Sequence, residues 1–243
     1  AARSTTTITP SSATGSTTLT ASTGIFQSGH VGSLWRVNAA VVLITGYTSA
    51  SVVTGTVQAE PNGTSGNIGG TSAYTDWAEG AFSDVRGYPS TGTFHEQRHY
   101  VASTTYQTQH VWGTYIGAFD NFKTDANDDS AALGLEIVSE QVNAIRWLNS
   151  DVEALQIGTS GGSFSLSSGT QGLTITATNV KAHKDSSQGA YSIMPKRISN
   201  FLYYIHKTAN KMFEIVYNYL SNRDMTNDMT KLADHILRDG SGA

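Results

Sequence analysis

The sequence predicts a mainly β protein: a small antiparallel β module, then further β segments, then one C-terminal amphipathic helix. Three observations predict it. Charged residues make up only 14% of the chain against 38% hydrophobic, and the shortfall from the roughly 25% charge of an ordinary domain is filled by Ser, Thr and Gly. Short β-branched runs recur between turn residues. Only one stretch carries apolar residues at helical spacing.

Taken in order, Ser or Thr fills fourteen of the first 24 positions. With so few apolar residues, 1–24 reads as an extended arm that orders only against a neighbour. Residues 25–59 form the small β module. Within it LWRVNAAVVLITGYTSASVVTGTVQ (34–58) breaks at Asn38 and at Gly46 to Ser51, which gives three short antiparallel strands. The stretch EPNGTSGNIGGTS (60–72) is a linker loop and the expected domain boundary. Beyond it, in 73–243, β segments fall near 93–103, 107–116, 143–149, 153–159, 162–168 and 173–181. That spacing fits a sandwich, a barrel or a propeller. RISNFLYYIHKT (197–208) and KMFEIVYNYL (211–220) read as an aromatic hairpin turning at Ala209-Asn210. The helix is placed over 226–240, with Met229, Leu232, Ala233, Ile236 and Leu237 on one face. Its N-cap is Asn227 or Asp228 and its stop is Gly240.

The bulk numbers exclude several function classes. A net charge of -4 argues against a surface that grips nucleic-acid phosphates, which needs clustered Lys and Arg. The absence of cysteine removes disulfides and thiolate metal sites. No apolar run approaches the roughly 18 to 20 residues that cross a bilayer as a helix. The first residues are Ala-Ala rather than Met, which is expected of a segment of a longer chain.

Three motifs resemble catalytic or metal-binding signatures. HEQRH (95–99) is a literal HExxH, in which two His four apart on a helix hold zinc. Here the flanking residues alternate as a strand, where i and i+4 lie about 13 Å apart, too far for one ion to bridge. GTSGG (158–162) satisfies the G-x-S-x-G nucleophile elbow. It is followed by an alternating strand rather than a helix, so 154–168 reads as a hairpin whose glycines permit the tight turn. Asp185, His206 and His235 are candidate partners for Ser160, of a kind that any chain of this length supplies. DANDDSAALGLE (125–136) places Asp125, Asn127, Asp129 and Glu136 at positions 1, 3, 5 and 12 of a Ca²⁺ loop, but Ser130 replaces the required Gly. A solvated acidic turn is the expectation. The sequon at Asn62 has a role only in a eukaryotic secretory route.

Several segments in a fixed order resemble the central part of the nozzle proteins, also called tail tubular protein B, of short-tailed bacteriophages. They are IFQSGHVGSLWRVN (25–38), ITGYTSAS (44–51), GYPSTGTFHEQRHYVAST (87–104), VWGTYIGAFDNF (111–122), VNAIRWLNSDVEALQIGTSGGSFSLS (142–167), SSQGAYSIMPKRISNFLYYIHKTANKMFEIVYNY (186–219) and DMTKLADHIL (228–237). The resemblance implies a β-propeller-containing structural subunit of the virion, made in the host cytoplasm. It implies a homo-oligomeric ring, commonly a hexamer, below the portal and adaptor. Such a ring extends the DNA ejection channel and holds tail fibre proteins, with DNA passing through the lumen without sequence-specific binding and with no membrane insertion. In it HEQR is a recurring strand segment and GTSGG a hairpin turn. It carries no catalytic, cofactor-binding or metal-binding residues onto this chain, so no enzyme activity is expected.

The alternative from composition is a receptor- or carbohydrate-binding β module of a tail fibre, in which Trp35, Trp77, Trp112 and Trp147 would stack on sugars; the opposing expectation is that each is a core residue of its own strand. A polysaccharide hydrolase would need two carboxylates about 5 to 10 Å apart in a cleft.

Overall fold

Every regular element but one three-residue 3₁₀ turn is a β-strand in the computed structural model, which describes residues 5–59, 65–125, 128–138, 143–151, 154–170, 172–218 and 223–231. The chain divides into two compact units, Ala1–Tyr88 and Pro89–Ala243.

The first unit is one antiparallel sheet of β1 (Ile8–Pro10), β2 (Ser16–Ala21), β3 (Leu34–Val37), β4 (Ala40–Ser49), β5 (Val52–Val57) and β6 (Trp77–Glu79), in the order β1-β2-β5-β4-β3-β6. The three strands expected between 34 and 58 are β3, β4 and β5, and Asn38 turns the first corner in the left-handed region at φ 50°. Two register shifts between β4 and β5, at Ile44/Gly46 and Tyr47/Ser49, are the irregularities that bend a sheet. The sheet curls until its edges meet. Ile8 and Tyr74 exchange two backbone hydrogen bonds of 2.9 Å, and Trp77 Nε1 donates to the Thr6 carbonyl at 2.8 Å. Ile8, Leu19, Phe26, Trp35, Val42, Ile44 and Val53 fill the inside.

This corrects the reading of 1–24 as an arm. Ile8 and Leu19 are fully buried, and β2 pairs along β5 with Leu19 opposite Val53. The inward residues Thr17, Leu19 and Ala21 alternate with outward Ser16, Thr18 and Thr20. A strand needs an apolar residue only every second position, and Thr is a good strand former. The low apolar count therefore concealed a half-buried strand whose neighbour is its own chain. The domain boundary is corrected as well. Residues 60–64 lie outside the described residues. Ile68, within the expected linker, is fully buried in the first core, and its N–H donates to Ala13 at 2.9 Å. The division falls after Tyr88.

The second unit contains three four-stranded antiparallel meanders, each in chain order. They are β7 (Thr91–His95), β8 (Arg98–Ala102), β9 (His110–Gly113) and β10 (Leu133–Glu136); β11 (Ile145–Ser150), β12 (Leu155–Thr159), β13 (Ser163–Ser168) and β14 (Val180–Ser186); and β15 (Lys196–Ile198), β16 (Phe201–Ile205), β17 (Met212–Asn218) and β18 (Arg223–Asp228). The four-stranded meander is the unit from which propeller blades are made. One core joins the first two sheets, with Tyr100, Val111 and Leu133 against Leu148, Ile157 and Phe164. Another joins the second and third through Trp147, Leu202, Tyr204 and Phe213.

The aromatic hairpin is present as β16 and β17, with Ala209 at φ 61° in its connection. The strand expected at 173–181 begins only at Val180. The helix expected over 226–240 is not seen where its first turn was placed. Thr226, Asn227 and Asp228 continue β18 opposite Ile215, Glu214 and Phe213. Asp228 does act as a cap, but of a turn: its Oδ1 accepts from the Thr230 N–H at 2.9 Å and from Thr230 Oγ1 at 2.8 Å. Pairing with β17 outweighs a weak helix start made of Thr, Asn and Asp. Residues 232–243, which carry the rest of the expected helix, lie outside the described residues.

Candidate functional site

The HEQR segment is a two-residue hairpin turn, which corrects its reading as continuous strand. Glu96 and Gln97 both take positive φ, 45° and 60°, between the paired residues His95 and Arg98. That conformation, usually filled by Asn-Gly, matches the twist of the two strands. Cross-strand partners share a face, so His95 stands with Arg98 and His99 with Phe94. His95 and Arg98 are buried, whereas Phe94 is 60% exposed and stacks on the His99 ring at 4.7 Å. The two imidazoles point to opposite sides of the hairpin and cannot share one metal.

Each residue of the turn has another task. Arg98 is 1% exposed and spends its guanidinium on backbone carbonyls: Nη1 donates to Thr114 at 2.5 Å, Ala131 at 2.7 Å and Ser130 at 3.2 Å, and Nη2 donates to Asp129 at 2.8 Å. The planar fork of Arg suits several acceptors at once, and it fixes the loop that leads into β10. Burial lowers the pKa of this group from its ordinary value. The Gln97 carbonyl accepts from Gly117 at 2.9 Å. His95 and Glu96 reach the second meander: His95 Nδ1 lies 2.9 Å from Ser150 Oγ, and Glu96 Oε2 accepts from the Ile175 N–H at 2.7 Å. Burial lowers the pKa of His95, against the opposing pull of Glu96 and Asp151. The apparent protease signature is a clip between two sheets.

GTSGG forms the β12–β13 hairpin as expected, but its glycines serve a different need. Neither Gly161 nor Gly162 has positive φ. The turn is closed by Thr159, whose N–H donates to the Gly162 carbonyl at 2.9 Å and whose Oγ1 accepts from Gly162 at 3.1 Å. At Gly158 an added Cβ would meet the Trp147 ring at 2.0 Å, and at Gly162 it would meet the Ser186 carbonyl at 2.4 Å. Close approach fixes both glycines. Ser160 sits between two strands, with its N–H donated to Ala144 at 2.9 Å. Of its candidate partners, Asp185 Oδ1 is engaged with His183 at 3.0 Å and Ser165 at 3.1 Å, and His206 with Thr208 at 2.8 Å. His235 lies outside the described residues.

The acidic loop is dispersed. Asp128 Oδ2 accepts from the Tyr115 hydroxyl and its Oδ1 from the Ser130 N–H, both at 2.8 Å. Those bonds hold its carboxyl below the usual carboxylate range. Asp129 Oδ1 accepts from Thr178 at 3.1 Å, and Glu136 ends β10 opposite His110. Asn127 and the Asn62 sequon lie outside the described residues. Among the described residues no three His, Asp or Glu gather as metal ligands. The four Trp each lie in a separate strand. Trp35 and Trp147 are fully buried, Trp77 stacks on Trp35 at 5.7 Å, and Trp112 lies half-buried beside His110 at 4.5 Å.

A feature that motif reasoning missed is a groove of about 520 Å³ on the third sheet, between the turn after β16 and the turn after β18. It is lined by His206, Asn210, Lys211, Asp228 and Lys231, together with the buried Phe213. Of the basic run that precedes it in sequence, only Lys211 lines the groove. Residues 180–211 contain six of the 15 Lys and Arg (181, 184, 196, 197, 207, 211) but one of the 19 Asp and Glu (185), a local balance of +5 in a chain of net -4. Compared with models of known protein families and with curated proteins, the chain matches none.

Proposed function

We propose that this chain is a structural virion protein of a short-tailed phage, a nozzle-like subunit of a ring that extends the DNA ejection channel below the portal and adaptor. The observation that carries the reading is the HEQR clip. The side chains that most resemble catalytic machinery are committed to structure: buried His95 meets Ser150 and half-buried Glu96 accepts from the Ile175 N–H, which ties the first meander to the second, and buried Arg98 holds four carbonyls of its own sheet's β9–β10 connection. Three successive four-stranded meanders are consistent with the propeller that the resemblance implies. A net charge of -4 suits a conduit through which DNA slides rather than adheres. The sugar-stacking alternative draws no support from the Trp residues, none of which is an exposed platform. Size-exclusion chromatography with light scattering on the purified chain, alone and with adaptor protein, tests the reading. A ring-sized species, or one that forms with the adaptor, is expected. A monomer that ignores the adaptor would contradict it.

A further inference from the structure

We propose that this chain binds a second copy of itself head to tail, the outer face of the third meander of one copy packing on the outer face of the first meander of the next. Within the second unit the meanders already stack face to face. The first turns Tyr100, Val111 and Leu133 toward the second, and the second turns Trp147 toward Leu202 and Tyr204 of the third. Side chains alternate across a strand, so the first and third meanders each have another face, turned away from the stack. On the third meander that face carries Ile198 (64% exposed), Phe201 (37%) and Met225 (43%), with Tyr203, Ile205 and Val216 half-buried beside them. Ile198 lies opposite Phe201, and Val216 opposite Met225. The strand β16, FLYYI, is thus apolar on both faces, which is the pattern of a strand covered on both sides rather than of one that faces water.

The outward face of the first meander is aromatic. Phe94 (60% exposed) stacks on His99 at 4.7 Å and meets Phe119 (48% exposed) edge-on at 5.2 Å. Half-buried Trp112 lies on the same face, opposite Val101 and Gly134. The two faces suit one another. Met225 and Ile198 would meet aromatic rings, and thioether–aromatic contacts are favourable. Few charges oppose the contact: Lys196 and Glu214 balance on the third meander, and Glu136 stands at the edge strand of the first. Each contact inside the stack joins the back of one meander to the front of the next, and the two outward faces are one front and one back. A second copy therefore supplies the neighbour that each end lacks, by the type of contact the chain already makes twice. A contact between two different faces closes into a ring or extends into a filament according to the rotation between copies. These faces do not depend on the virion reading: a ring built through other surfaces would defeat the head-to-tail contact and leave that reading intact.

Sedimentation velocity of the purified chain from about 1 to 100 µM, a range that spans the affinities of small interfaces, tests the proposal. The wild type is expected to associate as concentration rises. Ile198→Lys removes one face and Phe94→Lys the other, both at exposed positions, so each variant alone is expected to associate about tenfold or more weakly. An equimolar mixture is expected to recover association, but only as a pair of one of each. The Phe94→Lys copy keeps the third-meander face, and the Ile198→Lys copy keeps the first-meander face. Met225→Lys and Phe119→Lys, on the same two faces, replace any variant whose circular dichroism spectrum departs from the wild type. A wild type that stays monomeric throughout, either variant associating fully by itself, or a mixture that recovers nothing would overturn the proposal.

Discussion

Glu96 Oε2 accepts a 2.7 Å hydrogen bond from the backbone N–H of Ile175, so the tip of the β7–β8 turn is tied to the loop between β13 and β14. Ile175 is 1% exposed, and its N–H would lose its partner if the carboxylate were removed. Glu96→Ala is therefore expected to cost about 1 to 3 kcal/mol, and Glu96→Gln, which keeps an acceptor, less. At the next position Gln97→Gly should stabilise by up to about 1 kcal/mol, since φ of 60° favours glycine. Urea unfolding checks both; equal losses for the two Glu96 variants, or destabilisation by Gln97→Gly, would contradict the clip.

The His95 imidazole gives the clip a pH dependence. Burial sets its folded pKa below the ordinary 6.5, so the folded form holds it neutral while the unfolded chain protonates it. Stability is full above the unfolded value and falls as pH drops through 6.5 toward the lower folded value. His30, His110 and His206 shift in the same direction, so His95→Gln should remove one part of the slope. Unfolding curves between about pH 7.5 and 5.5, above most carboxylate titration, measure it. A slope unchanged in His95→Gln would count against a buried neutral ring.

The N-terminal strands should be indispensable to the first sheet. Leu19→Ala is expected to cost about 2 to 5 kcal/mol, and deletion of residues 1–24 removes β1, β2 and the buried Ile8 and Leu19. Hydrogen exchange in β4 and β5 reports the outcome. Loss of protection there on deletion is expected. Retained protection would return 1–24 to the role of a dispensable arm.

Around GTSGG, glycine should matter and serine should not. Gly158→Ala drives a methyl into the Trp147 ring and is expected to destabilise by about 1 to 3 kcal/mol. Ser160→Ala should stay within about 0.5 kcal/mol. Thermal melts of both variants decide between packing and chemistry, and the reverse order would revive a functional serine.

The parts of this fold that were legible in the sequence are those with local signals. Val41 to Ile44 and Val52-Val53 announce strands by β-branching, and Ala209-Asn210 announces a turn. The parts that were not depend on partners distant in sequence. Leu19 is buried because Val53 lies across from it, and nothing in a Ser/Thr-rich run says so. Thr226 to Asp228 have the composition of a helix start, and β17 draws them into a sheet. HEQR looks like a continuous alternating strand because Glu96 and Gln97 lack the glycine that usually marks such a turn. The groove has no local signal because His206, Lys211 and Lys231 come together only where β16 pairs β17 and β17 pairs β18.

Cryo-EM of phage particles decides whether the proposed nozzle role is right. Density for the curled six-stranded sheet and the three meanders is expected, repeated around the tail axis below the portal and adaptor. Finding this chain at the tip of a fibre, or missing from the particle, would contradict it.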